Sequence, residues 1–177
     1  RLDKAIHQSE TSHQEYFHTE LPNILQRFLE CILAIGYLHE NGFRHGDIRR
    51  DHIFVDRNTG QYKWIDFDYD FYLPEKPFAL DLFELGNILI YLVGKGDYNP
   101  REIFIHPDMG KSVLDTLCQS DFSIISQNRL VNLKKIFPYI PVGLNNILLH
   151  FSLGSEVFYE NVYELHDDIV GALKELQ

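Results

Sequence analysis

The residues best suited to chemistry lie in two short polar segments that flank a β-type stretch of the chain. The first is the tripeptide HGD at residues 45–47, and the second is the tripeptide DFD at residues 66–68. Carboxylates such as Asp47 and Asp66 can act as a general base towards a hydroxyl group or can ligate a divalent metal. Either tripeptide alone is uninformative, so the elements around them decide the interpretation.

A helix and a hairpin are predicted to position the two tripeptides. Apolar residues recur with a helical period from Leu21 to Asn41, and Gly42 follows, which is typical of a long, mostly buried helix that ends at a glycine. Two β-type runs come next, His52 to Asp56 and Tyr62 to Ile65, joined by the turn sequence RNTG. The sequence therefore predicts a small hairpin between HGD and DFD.

The remainder of the chain is predicted to be helical. Residues Leu80 to Val93 are apolar nearly all round, which indicates a helix buried within a helical domain. Four further helices are predicted, at Lys111 to Gln119, Ser126 to Phe137, Gly143 to Phe151 and Tyr159 to Leu176. No repeat or linker marks a second domain. We therefore expect residues 1–177 to form one mainly α domain with a small β-hairpin.

The order of helix, HGD, hairpin and DFD resembles the C-lobe of the protein-kinase-like fold, where H-R-D-x-x-x-x-N and D-F-G occupy the corresponding positions. The resemblance implies that Asp47 accepts or orients the proton of an attacking hydroxyl and that Asp66 ligates Mg²⁺ on the phosphates of ATP. It implies that Arg49 acts on the transferred phosphoryl group. His45 is expected to be structural, as is Asp81, which would hydrogen-bond the catalytic-loop backbone unless it is an ordinary N-cap.

The chain departs from the family pattern in its metal-binding residues. His52 stands where the loop has asparagine, and an imidazole prefers softer metals than Mg²⁺, such as Mn²⁺. His52 is therefore expected either to hydrogen-bond within the loop, to Asp47 or Asp66, or to ligate the metal. Asp68, in place of the glycine of D-F-G, supplies another oxygen that could join Asp66 and His52 in a metal site.

The segment after DFD is also unusual for a protein kinase. Only residues 67–80 separate Asp66 from Asp81, without an A-P-E triplet, and Gly46 replaces the arginine of H-R-D. In these features the chain is similar to small-molecule kinases of the aminoglycoside-phosphotransferase type. The residues before Leu21 are too few for the glycine-rich loop, lysine and glutamate that grip the nucleotide. We expect the N-terminal lobe to lie outside this chain and the chain alone to be inactive.

Three functions remain open on these grounds. The first is a kinase that, in its full-length parent, transfers the γ-phosphoryl of ATP to a hydroxyl on an unidentified protein or small molecule. The second is a pseudokinase that acts as a nucleotide-binding or protein-interaction scaffold. The third, with the least support, is an interaction lobe that docks a partner through aromatic residues such as Phe71, Tyr72 and Tyr98.

Composition restricts the partners and the location. A net charge of -10 argues against nucleic acid, because affinity for the phosphate backbone depends on clustered Lys and Arg. No apolar run approaches the roughly 20 residues of a membrane span. Cys31 and Cys118 lack a C-x-x-C spacing, so we expect neither a disulfide framework nor a zinc site, and a cytoplasmic location.

Overall fold

The structure is a computed structural model, and it describes residues 1–8, 10–68, 75–106 and 109–176. The protein is mainly helical, with a two-stranded antiparallel sheet. In chain order the elements are α1 (Leu2–His7), α2 (His13–Thr19), α3 (Leu21–Glu40), β1 (Ile53–Val55), β2 (Tyr62–Trp64), α4 (Ala79–Gly94), α5 (Pro100–Ile105), α6 (Gly110–Leu114), α7 (Val142–Leu149) and α8 (Val162–Leu176). Short 3₁₀ turns lie at Arg50–His52, Gln119–Asp121 and Leu133–Lys135.

The three elements predicted around the two tripeptides are confirmed. The long helix is α3, which is followed by Gly42 with a positive φ of 76°. The hairpin is β1 and β2, paired in the register Ile53 to Trp64. The apolar helix is α4, in which every residue from Leu85 to Gly94 is buried. In the described part of the chain, no helix is both long and apolar enough to cross a membrane.

The prediction of a helix from Ser126 to Phe137 is wrong. This segment holds only a short 3₁₀ turn at Leu133–Lys135, and Asn128 has a positive φ of 62°. Its backbone is paired with distant residues, since the amide of Leu130 donates to Tyr98 O at 2.7 Å and that of Val131 to Asp121 O at 2.8 Å. These long-range bonds replace the local bonds of a helix.

The other predicted helices differ from the structure mainly at their ends. The predicted helix Lys111 to Gln119 is shortened to α6, which ends at Leu114. The predicted helix Gly143 to Phe151 is α7, and the last predicted helix is α8, which begins at Val162 rather than Tyr159. The side chain of Asn161 accepts hydrogen bonds from the amides of Tyr163 and Glu164, and so caps the start of α8.

Helices α3 and α4 form the frame on which the two tripeptides are placed. Helix α3 packs against α8, α4 and β2. The hairpin is fixed to α3 by Trp64, whose indole N–H donates to Cys31 O at 3.0 Å. Helix α1 packs against the 3₁₀ turn Arg50–His52 and buries Leu2 and Ile6. Cys31 is buried, Cys118 is exposed and both are free.

Candidate functional site

The fold brings the HGD and DFD tripeptides into direct contact. The amide of Asp68 donates to His45 O at 2.7 Å, and the amide of Ile65 donates to His52 O at 3.0 Å. Gly46 has a positive φ of 80°, and a β-carbon there would overlap the carbonyl oxygen of Asp68. Only glycine allows this approach of the two backbones. A side chain at position 46, such as the arginine of the H-R-D pattern, would therefore clash with the backbone of Asp68.

Asp81 of α4 holds the HGD loop in place. Its buried carboxylate accepts hydrogen bonds from the amides of His45 at 2.8 Å and Gly46 at 2.9 Å, and from His39 Nε2 at 3.0 Å. These are the backbone contacts that the resemblance implies for Asp81. The ordinary N-cap alternative does not apply, because Phe78 is the N-cap of α4.

The environment of Asp81 favours its charged form. Burial by itself raises the pKa of this carboxyl, but the hydrogen bonds from His39 and from the His45 and Gly46 amides outweigh burial and lower the pKa below its ordinary value. Since the pKa is lowered in the folded state, the associated stability is present above the ordinary carboxyl pKa. It is lost as pH falls through the lowered value.

Replacing Asp81 by asparagine is expected to lower the free energy of unfolding by about 3 kcal/mol near neutral pH. The amide group would face backbone N–H donors that now meet a carboxylate. The deficit at pH 7 should shrink in acid, as pH falls through the lowered pKa of Asp81 in the native protein. Urea denaturation at pH 7 and in acid measures it. Asp115→Asn, at an exposed position, is the control. Equal losses of unfolding free energy in the two variants would show that Asp81 does not hold the HGD loop in place.

His45 is buried beneath the loop. The amide of Asp47 donates to His45 Nδ1 at 3.3 Å, and the His45 ring packs against Phe67 and Trp64 with centroids 4.3 and 5.0 Å away. Burial lowers the pKa of His45 and is only partly opposed by the charge of Asp81. The His45 ring is therefore neutral at pH 7 and fills space under the loop.

His52 lies between the two candidate functional aspartates. Its Nδ1 is 2.9 Å from Asp47 O and 3.4 Å from Asp47 Oδ2, while its Nε2 is 3.8 Å from Asp66 Oδ2. A carbonyl oxygen can only accept, so Nδ1 carries a proton. In the neutral ring, the Nε2 lone pair is then available on the side of Asp66.

Asp66 is placed by an unusual backbone conformation. Its φ is 59°, in the left-handed region, which costs roughly 1–2 kcal/mol for a residue with a β-carbon but is tolerated best by Asp and Asn. The Asp66 side chain is 63% exposed and that of Asp47 is 41% exposed, whereas His52 is 11% exposed. Two open carboxylates therefore face a shared, nearly buried imidazole.

The candidate metal ligands are not gathered into a metal site in the part of the chain that the structure describes. Among residues 1–8, 10–68, 75–106 and 109–176, no group of three or more His, Cys, Asp or Glu side chains could hold a metal ion. The expected set of Asp66, His52 and Asp68 is thus not gathered into such a group. Mg²⁺ commonly takes only one or two protein carboxylates, with phosphate and water oxygens completing its shell. The exposed carboxylate of Asp66 fits that use, whereas His52 Nε2 suits a softer ion.

The side chain of Arg49 is paired with a nearby carboxylate, whereas the resemblance implies that it acts on a phosphoryl group. Its guanidinium donates to both carboxylate oxygens of Asp51, at 3.1 Å each, and its side chain is 57% exposed. A fork-to-fork pair of this kind fixes the guanidinium plane but is weak at an exposed position. Action of Arg49 on a phosphoryl group stays a prediction that requires Arg49 to leave Asp51.

A cavity of about 460 Å³ lies beside the HGD loop and was not anticipated from the sequence. Charged residues from several parts of the chain line this cavity, among them Glu84 of α4, Asp97 and Arg129. One signal was available for Glu84, because it and Asp81 are the charged residues within the apolar run Leu80 to Val93. Asp97 and Arg129 are brought to the cavity by tertiary structure alone.

Of the aromatic residues suggested as a docking surface, the structure describes Tyr98 alone. Tyr98 is half-buried and packs edge-on against Phe137, with ring centroids 5.4 Å apart. Phe71 and Tyr72 lie outside the described residues. The structure therefore offers no support for docking through Tyr98.

Comparison of the chain with known proteins found no matching family model and no matching curated protein. A functional proposal for this protein therefore depends on its motifs and on the geometry of the site.

Proposed function

We propose that this chain is the C-lobe of a protein-kinase-like phosphotransferase that moves the γ-phosphoryl group of ATP to a hydroxyl acceptor. The observation that carries the proposal is the meeting of HGD and DFD, which places Asp47 and Asp66 on either side of the His52 ring. The hydrogen bonds that Asp81 accepts from the HGD backbone amides support the proposal, because they fix the loop to the buried helix α4.

Asp47 and Asp66 have distinct roles in this proposal. The partly exposed carboxylate of Asp47 accepts or orients the proton of the acceptor hydroxyl, while its backbone carbonyl is held by His52. The more exposed carboxylate of Asp66 ligates a divalent cation. When bound, Mg²⁺ supplies positive charge to the β- and γ-phosphates. The groups that grip the nucleotide come, in this proposal, from a segment outside the 177 residues.

A pseudokinase is the second candidate, and the position of His52 favours it. If His52 is protonated on both ring nitrogens, the imidazolium lies 3.8 Å from Asp66 Oδ2 and competes with a cation for that carboxylate. Its neutral form presents a nitrogen where the kinase pattern has an amide oxygen. In either form, His52 weakens Mg²⁺ binding relative to a site made of oxygens.

ATP turnover distinguishes the phosphotransferase from the pseudokinase. The complete protein, supplied with saturating Mg-ATP or Mn-ATP, is assayed for loss of the γ-phosphoryl group. The phosphotransferase proposal predicts loss that depends on the metal. Absence of turnover with both metals, in a protein that still binds nucleotide, would favour the pseudokinase.

Replacing His52 by asparagine is expected to raise the ratio of the Mg²⁺-supported rate to the Mn²⁺-supported rate by about tenfold. The amide oxygen is a hard ligand and the amide carries no positive charge that competes for Asp66. Steady-state rates of the complete protein in each metal give the ratio. His150→Asn, at a partly exposed position in the segment after α7, serves as the control. A ratio unchanged by His52→Asn would show that His52 does not influence the metal.

A further inference from the structure

The cavity beside the HGD loop borders the segment that directly follows Asp47. Residues 48–51, which follow Asp47 directly, form one wall, and residues of α4 form another. The volume of about 460 Å³ falls within the range of roughly 300–1,000 Å³ that small-molecule sites occupy. Because the charge of Asp47 also acts on Glu84 in the cavity wall, a ligand in this cavity would lie near Asp47.

Most charges in the cavity are paired with one another. Asp97 binds Arg50 at 2.7 Å and Arg129 at 2.5 Å, and Arg49 is paired with Asp51. The Arg50 guanidinium also lies 4.1 Å from the centroid of the Tyr91 ring. The cationic side chains that the structure describes in the cavity are thus already engaged by protein groups, so a strongly anionic ligand finds no free guanidinium among them.

The remaining polar groups offer both hydrogen-bond donors and acceptors. Ser126 and Gln127 line the cavity, and their side chains make no hydrogen bond with the described residues. Asn99 and the half-buried Tyr98 also line the cavity. Hydroxyl groups both donate and accept, so a ligand rich in hydroxyls matches this mixed lining.

Glu84 is a partly buried carboxylate in the cavity that accepts few hydrogen bonds. In the described part of the chain, the only hydrogen bond that it accepts comes from Asn87 Nδ2 at 3.2 Å. Burial raises the pKa of Glu84; the Asn87 hydrogen bond and the charge of Arg129 oppose this shift, and the nearby carboxylate of Asp47 adds to it. Donors from a ligand would stabilise the charged carboxylate.

We propose that this cavity binds a small, neutral polyhydroxylated molecule, and that Glu84 accepts hydrogen bonds from its hydroxyl groups. The inference rests on the proposed function, since the ligand is the acceptor of the transfer. One ligand hydroxyl oxygen forms a bond to the γ-phosphorus, and the bond from that phosphorus to the β,γ-bridging oxygen breaks. ADP leaves with the electron pair, and the hydroxyl proton passes to Asp47.

Saturation-transfer NMR of the 177-residue chain without nucleotide tests the proposal, with D-glucose and myo-inositol as neutral probes and D-glucosamine as a cationic one. We expect binding of at least one neutral probe, weakened about tenfold by Glu84→Gln. Gln127→Ala should weaken it about threefold. Glu30→Gln, at an exposed position on α3, should leave it unchanged, and thermal unfolding verifies that each variant is folded.

Three outcomes would overturn the proposal: no binding of either neutral probe, binding of glucosamine alone, or binding unaffected by Glu84→Gln in a folded variant. Because nucleotide is omitted, this result is independent of turnover. Binding of a neutral probe by a protein that transfers no phosphate would reject the phosphotransferase and retain the ligand site. Turnover towards a protein acceptor without probe binding would reject only the ligand site.

Discussion

Replacing Gly46 by alanine is expected to lower the free energy of unfolding by about 4 kcal/mol. A β-carbon at this position would overlap the carbonyl oxygen of Asp68, and the positive φ of 80° adds backbone strain. Relief of the overlap would separate the HGD and DFD segments and lengthen the hydrogen bond from Asp68 to His45. Urea denaturation measures the loss.

Gly42→Ala is the matched control for this prediction. Gly42 has a similar φ of 76°, but, apart from its two chain neighbours, no atom of the described residues lies within 4 Å of the position that its β-carbon would occupy. The expected loss is about 1 kcal/mol, from backbone strain alone. Equal losses at the two positions would show that the approach of the two segments does not constrain Gly46. An arginine at Gly46, as in H-R-D, should be tolerated no better than alanine.

Replacing Asp47 by asparagine in the complete protein is expected to reduce phosphoryl transfer by about 10³-fold. Asparagine keeps the shape of the side chain but cannot take the hydroxyl proton. The backbone carbonyl that holds His52 is retained, so the loop should keep its conformation. The KM for ATP should change little, because the proposed contact of Asp47 is with the acceptor. Steady-state kinetics give both constants.

The exposed Asp115→Asn variant is again the control, and it should match the unmodified protein in kcat and KM. If Asp47→Asn lowers kcat no more than Asp115→Asn does, Asp47 is not the base. If it instead raises the KM for ATP without changing kcat, Asp47 contributes to nucleotide binding rather than to transfer.

The elements predicted from the sequence are those in which local pattern and tertiary burial agree. Helix α3 has an apolar stripe and a terminal glycine, and α4 is apolar nearly all round because it is buried from Leu85 to Gly94. The hairpin was marked by its turn residues. In each case a period or a turn signal lies within the segment itself.

The secondary structure that was not predicted from the sequence depends on helix-capping residues or on hydrogen bonds to residues distant in the chain. Helices α2 and α5 are short, and their signals were cap residues: Ser12 accepts from the amide of Glu15, and Asn99 forms a capping box with Glu102. The helix wrongly predicted from Ser126 to Phe137 has helical composition. Its backbone amides nevertheless bond to Tyr98 and Asp121, a pairing that no local pattern records.

The candidate site was predictable in its residues but not in its orientations. The order of motifs led to Asp47, His52, Asp66 and Asp81, and the structure brings these residues to one place. The pairing of Arg49 with Asp51 could not be foreseen. The cavity at Glu84 was hidden for the same reason, since its walls come from segments far apart in the chain.

The Mg²⁺ dependence of ATP turnover by the complete protein, compared with that of its Asp66→Asn variant, decides whether the protein is a phosphotransferase that works through Asp66. We predict that turnover rises to saturation with Mg²⁺ in the unmodified protein and falls by at least about 10²-fold in the variant, which loses the charged ligand. Turnover that is absent at saturating Mg²⁺ and Mn²⁺, or that is equal in the two proteins, would contradict a phosphotransferase that works through Asp66.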